Sequence, residues 1–349
     1  MKILHIHPNA KMASKFVSPL LGQEKLLGHQ TKLIVFLADL NHSYDEHIDL
    51  RINNYRLILE IFKFIKFIKN YKPDIIFCHN TTQATIPILI SRFFNKNKII
   101  YFNHGVTYLG YTGLLRFLFY LQEVINICFS DKIITVSEDM RKVLSKINPS
   151  VKIINNGSAC GIDLRNLNYS KFQKDKIKTT ILFVGRCKVR KGLNILLDIF
   201  SYFEKHENVN FLICGIEEDE FFRFSKRKFK NLKCLGFINN IDEIYQISNI
   251  ILLPSLHEGL SYCILEAIKH NTLVIANDIP GISNLIINNY NGVLIKNNDA
   301  NDFIAVINDY LINKVKYKKY LANGVSTVKK FDRKEFLKKY EIYISNLKN

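Results

Sequence analysis

Two glutamates, Glu258 and Glu266, stand in the segment LLPSLHEGLSYCILEAIKHNTLVIANDIPG, residues 252 to 281. The apolar run Ile250 to Leu253 reads as a strand, Pro254 to Glu258 as a loop, and a helix is expected to open near Gly259. Eight residues make ~2.2 helical turns, so both carboxylates fall near one face, at the end of the helix that opens toward a ligand. A Gly-containing strand-to-helix turn leaves backbone N–H groups unpaired, and the helix dipole adds positive potential at the same place. Turns of this kind bind anions such as phosphate. A carboxylate beside that site accepts hydrogen bonds from ribose or sugar hydroxyls. The combination suggests a nucleotide-sugar pocket; its plain alternative is a surface helix that happens to carry two glutamates.

A second constellation lies upstream. ILFVGRCKVRKGL, residues 181 to 193, reads as strand, Gly turn, basic loop and helix, with Arg186 and Lys191 flanking the loop. A guanidinium makes planar bidentate contacts with phosphate, and an ammonium supplies a compact charge. Together they would neutralise a diphosphate as a bond to it breaks. A solvated basic loop is the alternative.

These segments need a scaffold. Apolar runs ending in Gly, Asn or Asp recur along the chain. Strands are expected at Lys2 to His7, Thr31 to Phe36, Ile75 to Cys78, Lys98 to Phe102, Lys132 to Val136 and Lys152 to Ile154. A second series follows at Thr180 to Val184, Asn210 to Cys214, Leu232 to Leu235, Ile250 to Leu253, Leu273 to Ala276 and Gly292 to Ile295. Helical patterns lie between them, which makes an α/β chain with parallel sheets. The polar stretch Asp163 to Lys178 reads as the linker. The domains are therefore expected at 1–165 and 166–332, followed by an amphipathic helix in 333–349.

Composition narrows the class. A chain of 349 residues with 48% hydrophobic and 23% charged residues is globular and long enough for two domains. Its seven cysteines show no CxxC spacing and no zinc-like cluster, which fits a reduced, cytoplasmic protein with no metal. The start MKILHIHPNAK reads as a first strand and not as a leader, and no apolar run reaches the length of a membrane span. Leu114 to Phe129 contains Arg116, Gln122 and Glu123 and reads as a core helix. A net charge of +18, spread along both halves, favours an anionic partner such as a membrane surface, a phosphorylated substrate or nucleic acid. IFKFIKFIKNYK, residues 61 to 72, has aromatics interleaved with four lysines and suits either a core helix with a basic edge or a helix facing a membrane. The basic cluster between Arg223 and Lys233 reads as solvated surface.

Pro254, Ser255, Glu258, Gly259, Leu260 and Glu266, followed by Ala267 and by Ala276 to Gly281, resemble the donor-binding motif of family 4 glycosyltransferases. Gly185, Arg186 and Lys191 are similar to that family's phosphate-binding element. Asn155 to Asp163, NNGSACGID, is similar to its interdomain connection through Gly157, Ser158, Gly161, Ile162 and Asp163. The His104-Gly105 pair, which closes YFNHGV, stands where many members place a histidine beside the transferred sugar.

The resemblance implies two Rossmann-like domains facing across a cleft, the GT-B fold, with the last helix returning to the first domain. It implies a retaining, hexosyltransferase-type enzyme that takes a UDP- or GDP-type sugar donor, with no further cofactor and no metal. In this reading Glu266 holds the ribose and Glu258 the sugar ring. Backbone groups of Gly259, Leu260 and Ser261 hold the distal phosphate. Arg186 and Lys191 stabilise the departing diphosphate, and His104 positions the sugar. The acceptor would be a saccharide or lipid-linked glycan of cell-surface polysaccharide or lipopolysaccharide synthesis, met at the inner face of the membrane, with no nucleic acid involved. The alternatives are a GT-B epimerase or phosphorylase, or a basic nucleic-acid-binding protein without transfer activity. One departure is PNAKMASKFVSP after the first strand: Ala13 and Ser14 occupy places where the family often has glycine. His5, His7 and His79, at expected strand ends, receive no role.

Overall fold

The structure, a computed structural model, describes residues 1–94, 97–165, 174–175, 177–238 and 240–347. The chain divides into two compact units, Met1–Gly161 with Arg333–Asn349, and Ile162–Asp332. Most of the expected linker lies outside the described residues. The division falls at 161/162, slightly before the 165/166 expected, for a local reason. Gly161 turns with φ +68, and Ile162 then pairs with Asp332 in a parallel bridge and donates its N–H to the Phe331 carbonyl at 2.8 Å. The second unit thus begins and ends at one place.

The first unit holds a seven-stranded parallel sheet. Its strands are β1 (Lys2–Asn9), β2 (Gln30–Leu37), β3 (Glu46–His47), β4 (Ile75–His79), β5 (Lys98–Asn103), β6 (Lys132–Thr135) and β7 (Lys152–Ile153), in the order β3-β2-β1-β4-β5-β6-β7. Helices α1 (Ala10–Phe16), α2 (Ser18–Leu26), α3 (Leu57–Tyr71), α4 (Thr85–Phe94), α5 (Gly113–Cys128) and α6 (Glu138–Leu144) connect them. Strand alternation sorts the side chains between the two faces. Leu4, Ile6, Ile76 and Cys78 enter the larger apolar cluster with Phe64 and Ile68 of α3. His5, His7, Phe77 and His79 therefore point to the other face.

The stretch after β1 is helical. Asn9 caps α1, its Oδ1 accepting the Met12 N–H at 3.0 Å, and Ala13 is fully buried within that helix. Alanine suits a helix packed on a sheet better than glycine would.

The second unit has a six-stranded parallel sheet: β8 (Thr179–Val184), β9 (Val209–Cys214), β10 (Leu232–Cys234), β11 (Ile250–Leu253), β12 (Leu273–Asn277) and β13 (Val293–Ile295), ordered β10-β9-β8-β11-β12-β13. Its helices are α7 (Leu193–Phe203), α8 (Glu218–Ser225), α9 (Asp242–Ile247), α10 (Tyr262–Lys269), α11 (Ala300–Ile312) and α12 (Lys314–Lys329). Ile250 and Leu252 face one apolar cluster while Ile251 and Leu253 face the other, so β11 is buried on both sides. The strand order reverses between β8 and β11, and in open parallel sheets ligands bind outside the carboxyl ends of strands at such a switch. The last helix, α13 (Arg333–Ser345), belongs to the first unit, where it packs on α2 and buries Phe336, Tyr340 and Ile344.

Helix α5 differs from its expected role. Only Glu123, Asn126 and Ile127 are buried, whereas Leu114, Leu115, Phe117 and Leu118 are exposed. The helix lies beside α4, and in its leading turns Phe119 packs on Tyr111 and Tyr120 on Tyr108 while Leu114, Leu115, Phe117 and Leu118 stay outside the core.

Candidate functional site

Both motif segments of the second unit leave the carboxyl ends of β8 and β11, the strands at the switch. After β8, Gly185 to Gly192 forms a tight loop closed by a 3₁₀ turn at Val189–Lys191. After β11, Pro254 to Ser261 runs to α10. The helix opens at Tyr262, with Ser261 as N-cap, and not at Gly259. Glu258 therefore sits in the loop, while Glu266 is inside the helix. Ser261, in extended conformation, accounts for the shift: its N–H reaches the Gly281 carbonyl at 3.3 Å.

The two loops are laced together. The Leu256 N–H donates to the Arg190 carbonyl at 2.9 Å. Gly192, at φ +77, lies so close to Pro254 that a Cβ there would be 2.0 Å from the Pro254 carbonyl oxygen. Gly281 (φ +84) also passes close over the backbone carbonyls of Glu258 and Gly259, which a Cβ would meet at 2.7 and 2.6 Å. Lys191 Nζ then reaches Glu258 Oε1 at 2.5 Å, with both side chains mostly buried. Burial, the nearby Arg190 and, in opposition, Glu258 act on the Arg186 guanidinium, and the net effect lowers its pKa. The same surroundings, chiefly burial and Arg190, lower that of His257.

Glu266 is nearly buried and its Oε2 accepts the Tyr245 hydroxyl at 3.1 Å. Burial, with the negative charge of Glu266 among the lesser causes, keeps that phenol protonated and a donor. Tyr245, on α9, carried no signal in the sequence beyond its aromatic character. Arg186, Lys191, Glu258 and Glu266 thus lie in one unit, on loops and a helix beside one another. Cations beside one carboxylate, with a second carboxylate in the following helix, suit a ligand with both phosphate and sugar.

His104 belongs to the first unit, directly after β5. Its turn is held by a buried polar network. Asn103 Oδ1 accepts the Gly105 N–H at 2.8 Å, and the Thr81 hydroxyl donates to the Gly105 carbonyl at 2.7 Å. Asn103 Nδ2 and the Tyr101 hydroxyl donate to Glu123 Oε1 at 3.1 and 2.8 Å. Burial pushes the Glu123 carboxyl up to about 7 against those two hydrogen bonds. In the sequence Glu123 stood out only as one of the polar residues, with Arg116 and Gln122, that interrupt a mainly apolar helix.

His104 Nε2 faces His79 Nδ1 at 2.9 Å. Burial, reinforced by neighbouring imidazoles, lowers His104 to about 3 and His7 to about 4 and places His79 well below its ordinary range, so these rings are neutral. At the junction, Gly157 (φ +94) lets the Ser158 N–H meet the Val136 carbonyl at 2.6 Å, and Ser158 Oγ accepts the Gly161 N–H at 2.9 Å. These residues shape a turn. Among the described residues no group of three or more His, Cys, Asp or Glu is placed to hold a metal ion.

Two Rossmann-like parallel-sheet units, the second with a basic and acidic loop pair at its switch point, define the GT-B fold class. Family models agree: the family 4 glycosyltransferase model matches residues 27–159, and the model of glycosyl transferases group 1 matches residues 165–326. The chain belongs to this glycosyltransferase family.

Among relatives, the capsular polysaccharide biosynthesis glycosyltransferase CapH of Staphylococcus aureus is 30% identical over 62% of this chain and 63% of its own length. The chain thus spans less than two thirds of that relative. An Escherichia coli UDP-Gal:alpha-D-GlcNAc-diphosphoundecaprenol alpha-1,3-galactosyltransferase is 34% identical over 30% of this chain and 28% of its own. HepE of Anabaena, solved in complex with UDP-glucose, has a TM-score of 0.80 at 17% identity over 99% of this chain and 100% of that one.

Proposed function

We propose that this protein is a retaining glycosyltransferase of polysaccharide synthesis. It moves a hexose from a UDP- or GDP-type sugar to a saccharide or lipid-linked acceptor. The observation that carries the reading is the pairing of Lys191 with Glu258 where the loops from β8 and β11 meet. A diphosphate entering there offers Lys191 a second anionic partner, and Glu258, released in part, turns to the sugar hydroxyls. Arg186 takes the other phosphate oxygens. Glu266 accepts from the ribose while Tyr245 holds its second oxygen in place. Gly259 and Leu260 supply backbone N–H groups ahead of α10, whereas that of Ser261 would first have to leave the Gly281 carbonyl. Negative charge builds on the diphosphate as the glycosidic bond breaks, so fixed cations lower the barrier most at that point. No side chain is assigned as a nucleophile: the acceptor attacks from the face that the diphosphate leaves, and the departing phosphate takes its proton. His104 orients the transferred sugar.

A nucleotide panel tests this. Thermal unfolding is followed with UDP, GDP, ADP and their common sugars, on wild type and Glu266→Ala. Ligand at 100 times its dissociation constant adds ~2.7 kcal/mol, and one nucleotide should stabilise the wild type and not the variant. Stabilisation by none of them overturns the reading. Interconversion of sugar nucleotides without an acceptor would assign an epimerase, and phosphorolysis a phosphorylase.

The membrane side of the proposal rests on one layer of the first unit. Helices α3, α4 and α5 pack in a row. Their outward residues include Phe62, Phe93 and Leu114, which are 66%, 72% and 72% exposed. Lys69, on α3, lies over the Phe94 ring of α4 at 5.8 Å, so cations and apolar groups alternate on this face. Apolar side chains entering an acyl layer gain about 1.5–3 kcal/mol each, and lysines meet anionic headgroups. No helix among the described residues is long and apolar enough to cross a membrane. Flotation should therefore show binding to anionic vesicles, weakened at least several-fold by Leu114→Asp with Phe117→Asp. Equal partitioning onto neutral and anionic vesicles at low salt would remove the membrane surface from the proposal.

A further inference from the structure

We propose that Glu24, acting through His5 and His79, holds His104 as the single tautomer protonated on Nε2, so that its Nδ1 is a fixed hydrogen-bond acceptor for a ligand hydroxyl. Five side chains from five segments of the first unit form one line. Tyr340 of α13 and His5 Nε2 of β1 both meet Oε1 of Glu24, on α2, the histidine at 2.9 Å. His5 Nδ1 faces His79 Nε2 at 2.9 Å, and His79 Nδ1 faces His104 Nε2 at 2.9 Å. His5, Glu24 and Tyr340 are wholly inaccessible to solvent, and His79 almost so. His104 is partly exposed, and among the described residues its Nδ1 makes no hydrogen bond.

A neutral imidazole carries one donor and one acceptor nitrogen. In a line of such rings, the direction of the first hydrogen bond sets all the others. The buried Tyr340 phenol stays protonated, and it donates to Glu24 Oε1. That oxygen then serves as acceptor for His5 as well, which in the neutral ring that the relay requires puts the proton on Nε2 and leaves Nδ1 bare. His79 must donate from Nε2 to that bare nitrogen, and His104 must donate from Nε2 to His79.

Ring packing removes the freedom to choose otherwise. His5 stacks on Phe77 with centroids 4.6 Å apart and planes 7° from parallel, and Phe102 lies 5.0 Å from His104. His7 is the other ionisable ring beside the line, 5.8 Å from His79 and 6.1 Å from His104. Tyr71 is a further titratable group in the field of Glu24. A proton on Glu24 Oε1 would reverse every step and turn His104 Nδ1 into a donor. Glu24 is therefore a positioning residue: it touches no ligand and decides what His104 offers one.

The relay stands on the geometry of the first unit alone; only its use on a sugar hydroxyl rests on the proposed function. Nitrogen NMR of the full chain with ¹⁵N-labelled histidine, near neutral pH and without ligand, tests it. The expected result is two couplings between nitrogens across hydrogen bonds, His79 to His5 and His104 to His79, with the proton on Nε2 of each donor. His5→Phe should abolish the first coupling and return His104 toward the mixed tautomers of a free imidazole. A proton on Nδ1 of His104, absent couplings, or a His104 spectrum indifferent to His5→Phe would each overturn the relay. If His5→Phe does not fold, the wild-type couplings and proton positions still decide it. Failure of every nucleotide to bind would leave this result untouched, so the two proposals fail separately.

Discussion

Replacing Lys191 by methionine should lower kcat for sugar transfer by roughly 10²–10³-fold, the scale seen when one preorganised charge partner of a transition state is removed. Lys191 stands at the junction of the two loops with its ammonium against Glu258. Its loss acts twice. The leaving diphosphate loses a fixed cation, and Glu258, mostly buried, becomes an uncompensated negative charge where phosphate must enter. The second effect should appear in KM as well. Glu258→Gln combined with Lys191→Met separates them: the double variant should regain KM while kcat stays low. Arginine at 191 should restore only part of the activity, because its planar fork does not occupy the place of a compact ammonium. Rates of nucleotide release measured for the single and double variants decide the matter. A loss in kcat below about threefold for Lys191→Met would end its assignment to the diphosphate.

Gly192→Ala should destabilise the second unit by about 3 kcal/mol or more, through strain that the backbone cannot relieve locally. The added Cβ would stand 2.0 Å from the Pro254 oxygen and 2.6 Å from its carbonyl carbon, at φ +77. Relief requires the β8 and β11 loops to separate, which also breaks the hydrogen bond from Leu256 to Arg190. For a unit of this size the melting temperature should drop by roughly 10 °C. Gly28→Ala is the control. Gly28 has the same φ of +77 but nothing within 4 Å of the new Cβ, so only the left-handed backbone penalty of about 1–2 kcal/mol applies. Equal melting shifts for the two variants would mean that the close approach to Pro254 does not constrain the loops.

What the linear chain determined is local. Runs such as Ile250 to Leu253 are apolar on both faces, which only a buried parallel strand requires, and the strand expected there has the bounds observed. Arg186, Lys191 and Glu258 stood out because each follows a strand within a Gly-containing turn, and Glu266 because it lies eight residues beyond Glu258 in the helix that the turn opens, so side-chain chemistry and backbone geometry are set by neighbours in sequence. Two readings depended on distant neighbours and changed. Ala13 and Ser14, placed where the family often has glycine, lie in a helix whose Ala13 is buried on the sheet, and the helix read as core over Leu114 to Phe129 leaves Leu114, Leu115, Phe117 and Leu118 exposed.

The histidine relay was illegible for the same reason. His5, Glu24, His79, His104 and Tyr340 come from distant points of the chain, Glu24 and Tyr340 alone lying 316 residues apart, and each by itself is an ordinary polar residue. Only strand order puts β1 beside β4 and β4 beside β5, and only the docking of α13 on α2 brings Tyr340 to Glu24. Residue type specifies which groups can exchange a hydrogen bond; burial and tertiary contact decide which of them must, because a polar group removed from water has to find its partner within the fold.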